Sequence, residues 1–180
     1  MRDIVRIAVV VMLIAGVSGG ALAYAHSVTA PAIERALRQA KEQALAQVLP
    51  GADRFEDRTE GYRQLMGNPR FRAVHEVWEG LSGSDPVGTV VVVAPTGYGG
   101  PITCLVGIGR DGKITGIQVL SAPGETPGLG SRVKEPAFLG QFTGQAGRLA
   151  VDTISGATIS SRAVVDGVQA ALDLLAEKGH

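Results

Sequence analysis

The chain has 180 residues, of which 45% are hydrophobic, and 17 Lys plus Arg balance 17 Asp plus Glu to a formal net charge of zero. This length predicts one domain of ordinary size with a short additional segment, and the hydrophobic content excludes wholesale disorder. The even charge without a run of Lys or Arg argues against a nucleic-acid partner, and one cysteine with three scattered histidines argues against a disulfide framework or a metal site.

The first feature of the chain is an uncharged segment of 19 residues, Ile7–Ala25. As a helix it would be about 28 Å long, close to the ~30 Å of a bilayer's hydrocarbon core. Two interpretations fit: a single-pass membrane anchor, or a cleaved signal peptide, since Ala23-Tyr24-Ala25 has small residues at the cleavage spacing. Both place residues 26–180 on the extracytoplasmic side of the membrane.

A helical pattern follows the apolar segment. Pro31 suits a first turn, the sequence Pro50-Gly51 is a stop signal, and apolar residues recur between them at spacings of three and four. We predict an amphipathic stalk helix over residues 29–50 that packs on the next domain, or alternatively contacts a partner in a membrane complex. The residues that carry the period are Ile33, Leu37, Ala40, Ala44 and Val48.

From about residue 71 the pattern changes to that of strands. A β-branched run covers residues 89–94. Residues 102–109 place Ile102, Cys104, Val106 and Ile108 on one face, and a hairpin turn follows at Asp111-Gly112. A return strand covers residues 114–120. The sequence therefore predicts an antiparallel sheet, with Cys104 as a buried, reduced thiol on its apolar face.

Two glycine-rich segments, residues 125–130 and 152–161, interrupt the regular patterns, in a chain whose 25 glycines are about twice the usual share. A terminal helix is predicted to begin near Ser160, with Ser160 or Ser161 as its N-cap. Small residues before a helix N-terminus favour a bound phosphate. The alternative is a loop that leads into a capped helix and binds no ligand, since such loops have the same composition. Neither segment matches a Walker loop, a dinucleotide fingerprint or a nucleophile elbow, and we expect no catalytic residue.

The second segment contains Asp152-x-x-Ser155-Gly156-Ala157-Thr158, which resembles the flavinylation motif of FMN-binding domains. The chain as a whole resembles the G subunits of the Rnf ion-translocating electron-transport complexes, which are related to the C subunits of the sodium-pumping NADH:quinone reductases. Three blocks in order carry this likeness: residues 97–102, residues 125–130 and the Thr-bearing motif.

The resemblance implies covalent FMN, esterified through its phosphate to Thr158 by a separate flavin transferase. It implies that Asp152 and Ser155 shape the loop, that Gly156 and Ala157 allow close approach, and that Ser161 belongs to the same site. It further implies that Glu125 and Thr126 form hydrogen bonds to the isoalloxazine ring. Room for the ring is implied at Gly128, Leu129 and Gly130.

The resulting expectation is an α+β protein with an anchor over residues 1–28, the stalk over 29–50 and a small FMN-binding domain over 51–180. It implies a single-pass subunit of the inner membrane, with its domain on the periplasmic side among other Rnf-type membrane and peripheral subunits. As part of an ion-translocating oxidoreductase, the chain would relay electrons between ferredoxin and NAD centres. The alternatives are a stand-alone exported FMN-domain protein and a flavin-free structural subunit.

Overall fold

The computed structural model describes residues 2–179, except for the side chains of residues 3–5, 8–10 and 31–39. One helix, α1 (Arg2–Val48), begins this part of the chain. Contacts between Cα atoms divide the chain into two units, Met1–Lys41 and Glu42–His180. His180 lies outside the described residues.

The first unit contains most of α1. Within the described residues, Val11–Ala30 is the helical segment long and apolar enough to cross a membrane, and its large side chains are exposed, as Leu22 and Tyr24 illustrate. The predicted apolar helix is thereby confirmed. The choice between a retained anchor and a signal peptide stays open, since both have this form.

The expectation that Pro31 opens a separate helix is wrong, because α1 runs through Pro31 from Arg2 to Val48. A proline inside a helix removes one backbone hydrogen bond, and α1 continues through this position. Two of the five residues that carry the predicted stalk period, Ile33 and Leu37, fall in 31–39, whose side chains are not described. Of the other three, Ala44 and Val48 are buried.

The second unit is built on a five-stranded sheet in the order β1-β2-β3-β4-β5, with every neighbouring pair antiparallel. The α+β fold class is thus confirmed, and the sheet includes a first, short strand that the sequence analysis does not predict. The strands are β1 (Arg54–Asp57), β2 (Val74–Ser82), β3 (Asp85–Val93), β4 (Thr103–Gly109) and β5 (Ile114–Ser121).

Each face of the sheet is covered. On one face, Val91, Val93, Cys104 and Val106 belong to a buried cluster with residues of the C-terminal helix. On the other face, Val90, Val92 and Leu105 are buried with residues from the end of α1 and the turn after it, Ala44, Leu45, Val48 and Leu49.

Cys104 is fully buried, as predicted, and carries no disulfide. Its burial disfavours the thiolate and raises the pKa of the thiol to about 12. The β4–β5 hairpin also turns where the sequence predicts, at Asp111-Gly112, with Gly112 at a φ of +76°. The alternation of apolar residues along β4 and β5 is therefore sufficient to define this half of the sheet.

The remaining helices are short, apart from the last. After β1 come a 3-10 turn (Thr59–Tyr62), α2 (Arg63–Met66) and a second 3-10 turn (Pro69–Phe71). After β5 come a 3-10 turn (Gly130–Lys134), α3 (Pro136–Leu139) and the long α4 (Thr158–Lys178). α4 packs its apolar face on the sheet through Val164, Val168, Ala171 and Leu174, all fully buried, and so fixes the position of its own first turn.

Candidate functional site

A cavity of about 370 Å³ opens where three loops meet. The loops are the connection between β3 and β4, the segment after β5 and the entry into α4. We call it the motif cavity, because each wall comes from one of the three blocks singled out in the sequence. Its lining residues are Tyr98, Glu125, Thr126, Leu129, Gly130, Gly156, Ala157, Thr158, Ile159 and Ser160.

The rim of the motif cavity is apolar. Among the described residues of the second unit, three large hydrophobic side chains are exposed: Tyr98 at 70%, Ile159 at 59% and Leu129 at 45%. All three line the motif cavity. Single exposed hydrophobic residues are common, but their concentration at one concave site is typical of a ligand with an apolar surface.

Glu125 forms the floor of the motif cavity and is 7% exposed. Its Oε1 accepts hydrogen bonds from the backbone N–H of Tyr98 at 2.9 Å and of Gly99 at 3.4 Å. Its Oε2 accepts one from the Ser160 hydroxyl at 2.5 Å. The carboxylate therefore joins all three loops, and its partners are neutral donors of the protein itself.

Glycines allow this close approach. A Cβ on Gly130 would lie 2.0 Å from Glu125 Oε2, and a Cβ on Gly99 would lie 1.7 Å from the carbonyl oxygen of Gly124. Neither position tolerates a side chain without movement of the loops. Gly99 and Gly130 therefore allow the loops to close tightly around one buried carboxylate.

Thr158 is the first residue of α4, and its side chain is exposed at the edge of the motif cavity. Within residues 2–179 its hydroxyl takes part in no hydrogen bond. The N-cap is Ala157, which has no side chain able to cap the helix. The free N–H groups of the first turn and the positive end of the helix dipole thus remain available to an anion.

The prediction that Ser160 or Ser161 caps α4 is wrong. They are the third and fourth residues of the helix, and their hydroxyls are engaged elsewhere. Ser160 donates to Glu125. Ser161 Oγ donates to the Ala157 carbonyl at 2.8 Å and accepts from the Ile154 N–H at 3.2 Å. Ser160 therefore ties the first turn of α4 to the segment after β5, and Ser161 fixes the loop before the helix; neither caps the first N–H groups.

Gly156 places that loop against the segment after β5. It has a φ of +81°, which favours glycine, and a Cβ there would lie 2.8 Å from Leu129 Cδ2. The turn closes with a hydrogen bond of 2.9 Å from the Ala157 N–H to the Ile154 carbonyl. The two glycine-rich segments predicted from the sequence are thus in direct proximity.

Four of the residues singled out by resemblance do not line the motif cavity: Asp152, Ser155, Gly128 and Ser161. The backbone N–H of Asp152 donates to Gln141 Oε1 at 2.9 Å, and its side chain is exposed, as is that of Ser155. The N–H of Gly128 donates to the Ser131 hydroxyl at 2.9 Å. Their contribution is to the shape of the two loops.

The structure adds Tyr98, Ile159 and Ser160 to the site. Tyr98 lies inside the glycine-rich block 97–102, so its aromatic side chain between glycines is a signal present in the sequence. Ile159 is an apolar residue on the exposed side of the first helical turn, which only the position of the helix start reveals.

With this geometry in place, comparison with known proteins defines the class. The sequence model of a family described as "FMN-binding domain" matches residues 97–173. That range contains all three segments that line the motif cavity. The second unit is therefore similar to FMN-binding domains over the part that contains the cavity.

Relatives that match nearly the whole chain define the family. The G subunit of an ion-translocating oxidoreductase complex from Methanosarcina acetivorans is 35% identical, over 96% of this chain and 94% of its own length. The G subunit of a Na(+)-translocating ferredoxin:NAD(+) oxidoreductase complex from Acetobacterium woodii is 32% identical, over 96% and 92%. This chain belongs to the family of G subunits of ion-translocating oxidoreductase complexes, as the resemblance predicts.

Among solved structures, the C subunit of a Na(+)-translocating NADH-quinone reductase from Parabacteroides distasonis is similar to this chain. It is 26% identical, over 57% of this chain and 61% of that chain, with a TM-score of 0.48.

The chemistry of the motif cavity fits FMN. Its volume of about 370 Å³ is in the range of small-molecule sites, which begins at roughly 300 Å³. The exposed side chains of Tyr98, Leu129 and Ile159 offer apolar surface to a planar ring. The uncapped first turn of α4 offers N–H groups to a phosphate.

Proposed function

We propose that Thr158 carries FMN through an ester bond between its Oγ1 and the flavin phosphate. The observation that supports this is an exposed Thr158 hydroxyl, without a hydrogen bond in the described chain, on the first residue of α4 and at the rim of an apolar cavity. The uncapped helix N-terminus beside it stabilises the negative charge of the ester. Asp152, Ser155, Gly156 and Ala157 set the loop that presents the hydroxyl.

Attachment requires an activated FMN donor, a phosphoanhydride, and a flavin transferase. The Oγ1–phosphorus bond forms, the bond from phosphorus to the donor's leaving group breaks, and the hydroxyl proton is released. Because Thr158 is exposed rather than buried, the transferase can reach it on the folded domain.

We further propose that Tyr98, Leu129 and Ile159 hold the ring, with Thr126, Gly128 and Gly130 shaping the cavity beside it. Bound FMN supplies the electron chemistry, since flavins accept and donate electrons one or two at a time. The side chains exclude water from one part of the ring and fix its position. In this proposal the chain is an electron relay, and the oxidoreductase is the assembled complex.

The relay belongs, in this proposal, to an Rnf-type complex in which electrons pass between ferredoxin and NAD centres while other subunits move ions. The names of the relatives support this assignment, since one of them belongs to a ferredoxin:NAD(+) oxidoreductase complex. The apolar part of α1, Val11–Ala30, would anchor the chain in the inner membrane. The domain would then lie on the periplasmic side, in contact with membrane and peripheral subunits.

Replacement of the attachment hydroxyl tests the proposal. Thr158→Val keeps the side-chain shape and removes the nucleophile, so the full chain co-expressed with a flavin transferase should fold and show no fluorescence on a denaturing gel. Thr153→Val, at another exposed threonine of the same loop, is the matched control and should be fully labelled. Intact mass gives the same answer independently. Covalent flavin on Thr158→Val would overturn the assignment.

Orientation is tested separately with reporters fused to the C-terminus of the full chain. A reporter that works only outside the cytoplasm should be active, and one that works only inside should be inactive. The opposite result would place the domain in the cytoplasm and contradict the proposed relay position.

A further inference from the structure

A second cavity adjoins Thr158 on the domain. It has a volume of about 220 Å³ and shares Thr158 and Ile159 with the motif cavity. We call it the Arg162 cavity; its other lining residues are Thr96, Arg162, Ala163 and Asp166. Thr158 therefore lies between two concave surfaces, and only the motif cavity has the apolar rim described above.

Arg162 follows Thr158 by four residues in α4, so the two side chains lie on the same face of the helix, one turn apart. Helical side chains lean toward the N-terminus, which directs the long arginine side chain over the turn that contains Thr158. Asp166, one turn further on, also lines this cavity and forms no ion pair with Arg162 in the described chain. Within residues 2–179 the Arg162 side chain takes part in no ion pair or hydrogen bond, and it is exposed.

An arginine in this position has the chemistry for a phosphate. Its guanidinium presents a planar set of N–H donors that matches two phosphate oxygens at once, and it stays charged at any physiological pH. A phosphodiester on Thr158 has two such oxygens and one negative charge. The N–H groups of the helix N-terminus supply only partial charges. Arg162 is the residue nearest to Thr158 along this face of α4 that carries a full positive charge.

We infer that Arg162 binds the phosphate oxygens of the group esterified to Thr158, and that the Arg162 cavity is the phosphate subsite of the FMN site. This inference rests on the proposed attachment at Thr158. It assigns the two ends of the cofactor to different surfaces: the ring to the motif cavity and the phosphate to the Arg162 cavity. Arg162 is thus a binding residue that influences the ester and not the redox chemistry of the ring.

The ³¹P NMR resonance of the attached phosphodiester tests the contact directly. The experiment uses the loaded full chain, with the resonance of the same protein unfolded in urea as the reference for an ester without contacts. Arg162→Gln should move the resonance most of the way to the unfolded position, and Arg162→Lys should move it part of the way. The matched control is Arg148→Gln, which removes the same charge from an exposed loop and should leave the resonance unchanged.

A second measurement uses the full chain made in a host without a flavin transferase. Binding of FMN and of riboflavin, followed by flavin fluorescence, gives a ratio of affinities that reports recognition of the phosphate alone. Arg162→Gln should lower this ratio about fivefold, the upper range for an exposed ion pair. Arg148→Gln should not change it.

A ³¹P resonance and an affinity ratio both unchanged in Arg162→Gln would overturn the inference while leaving the attachment at Thr158 intact. Wild-type protein that carries no flavin after co-expression with a competent transferase would instead remove the proposed function and this inference together. The two failures are therefore distinguishable by the wild-type sample.

Discussion

The two sides of the motif cavity differ in how their polar groups are used. At the Glu125 side, the carboxylate is buried and both oxygens accept hydrogen bonds from within the protein. At the Thr158 side, the hydroxyl is exposed and the first helical turn has no side-chain cap. The first side is therefore a completed structural junction, and the second has free hydrogen-bonding capacity for a ligand. Changes on the two sides should affect different properties: stability on one, and flavin attachment on the other.

Removal of the Glu125 carboxylate should produce the largest loss of stability. Glu125→Ala leaves three donors without an acceptor, each at a cost of about 1–3 kcal/mol where it stays buried, and some will reach water through the cavity. We expect a decrease of about 3 kcal/mol in the free energy of unfolding in urea. Thr158 should still be labelled in the folded protein.

Glu125→Gln sharpens the same test. It preserves the shape but presents an amide N–H₂ to a neighbouring donor, so we expect an intermediate loss of stability. It also removes a negative charge from the cavity wall, which should raise the reduction potential of the flavin. Unchanged stability in both variants would show that the carboxylate is not a structural junction, and would favour a role directly on the ring.

Ser160 and Ser161 of α4 allow the two sides of the motif cavity to be tested separately, with smaller expected losses of stability. Ser160→Ala removes a donor from the buried Glu125 carboxylate and should cost about 1–3 kcal/mol of unfolding free energy. Ser161→Ala removes a hydroxyl that ties the Ile154 N–H to the Ala157 carbonyl, at about 1 kcal/mol. Only Ser161→Ala should also reduce the rate of flavin attachment, because it loosens the loop before Thr158. Equal labelling rates in the two variants would contradict this division.

The Cys104 thiol gives the smallest expected effect. Its reactivity also serves as a control that shows whether the core of the other variants stays closed. Because burial raises the pKa of its thiol to about 12, the native protein should not react with a thiol reagent at pH 8. The folded state favours the protonated thiol, so its contribution to stability is complete below the ordinary pKa of 9.0 and is lost as the pH rises toward 12. Rapid labelling of a variant at pH 8 would show that its core had opened, and that a loss of flavin in it was indirect.

Local patterns were sufficient for much of the fold. The β-branched run in β3, the alternation along β4 and β5 and the period of α4 each predict their elements, because these patterns are typical of strands and helices that pack in a core. The short strand β1 (Arg54–Asp57) has charged residues at both ends and no fully buried position, so nothing in its sequence distinguishes it from a loop. A rule that ends helices at proline likewise cannot predict that α1 continues through Pro31.

Several residues of the site could be predicted from the sequence, but the hydrogen bonds that join them could not. The family resemblance predicts that Glu125 and Thr158 belong to the same site, and in the structure both line the motif cavity. That the Glu125 carboxylate accepts from Tyr98 and Ser160 is a long-range relation, with separations of 27 and 35 residues, which no local pattern contains. The predicted serine N-cap is wrong because α4 begins at Thr158, two residues before Ser160, with Ala157 as its N-cap.

The span of the Glu125 contacts has a consequence for the order of folding. One donor precedes the carboxylate across the whole of β4 and β5, and the other follows it across the loops that lead to α4. Because closing these loops costs entropy, we expect these contacts to form after the sheet has assembled. A nascent chain that has not yet delivered the first turn of α4 therefore has no finished motif cavity. If attachment requires that cavity, the flavin label marks only those copies of the protein that have completed folding.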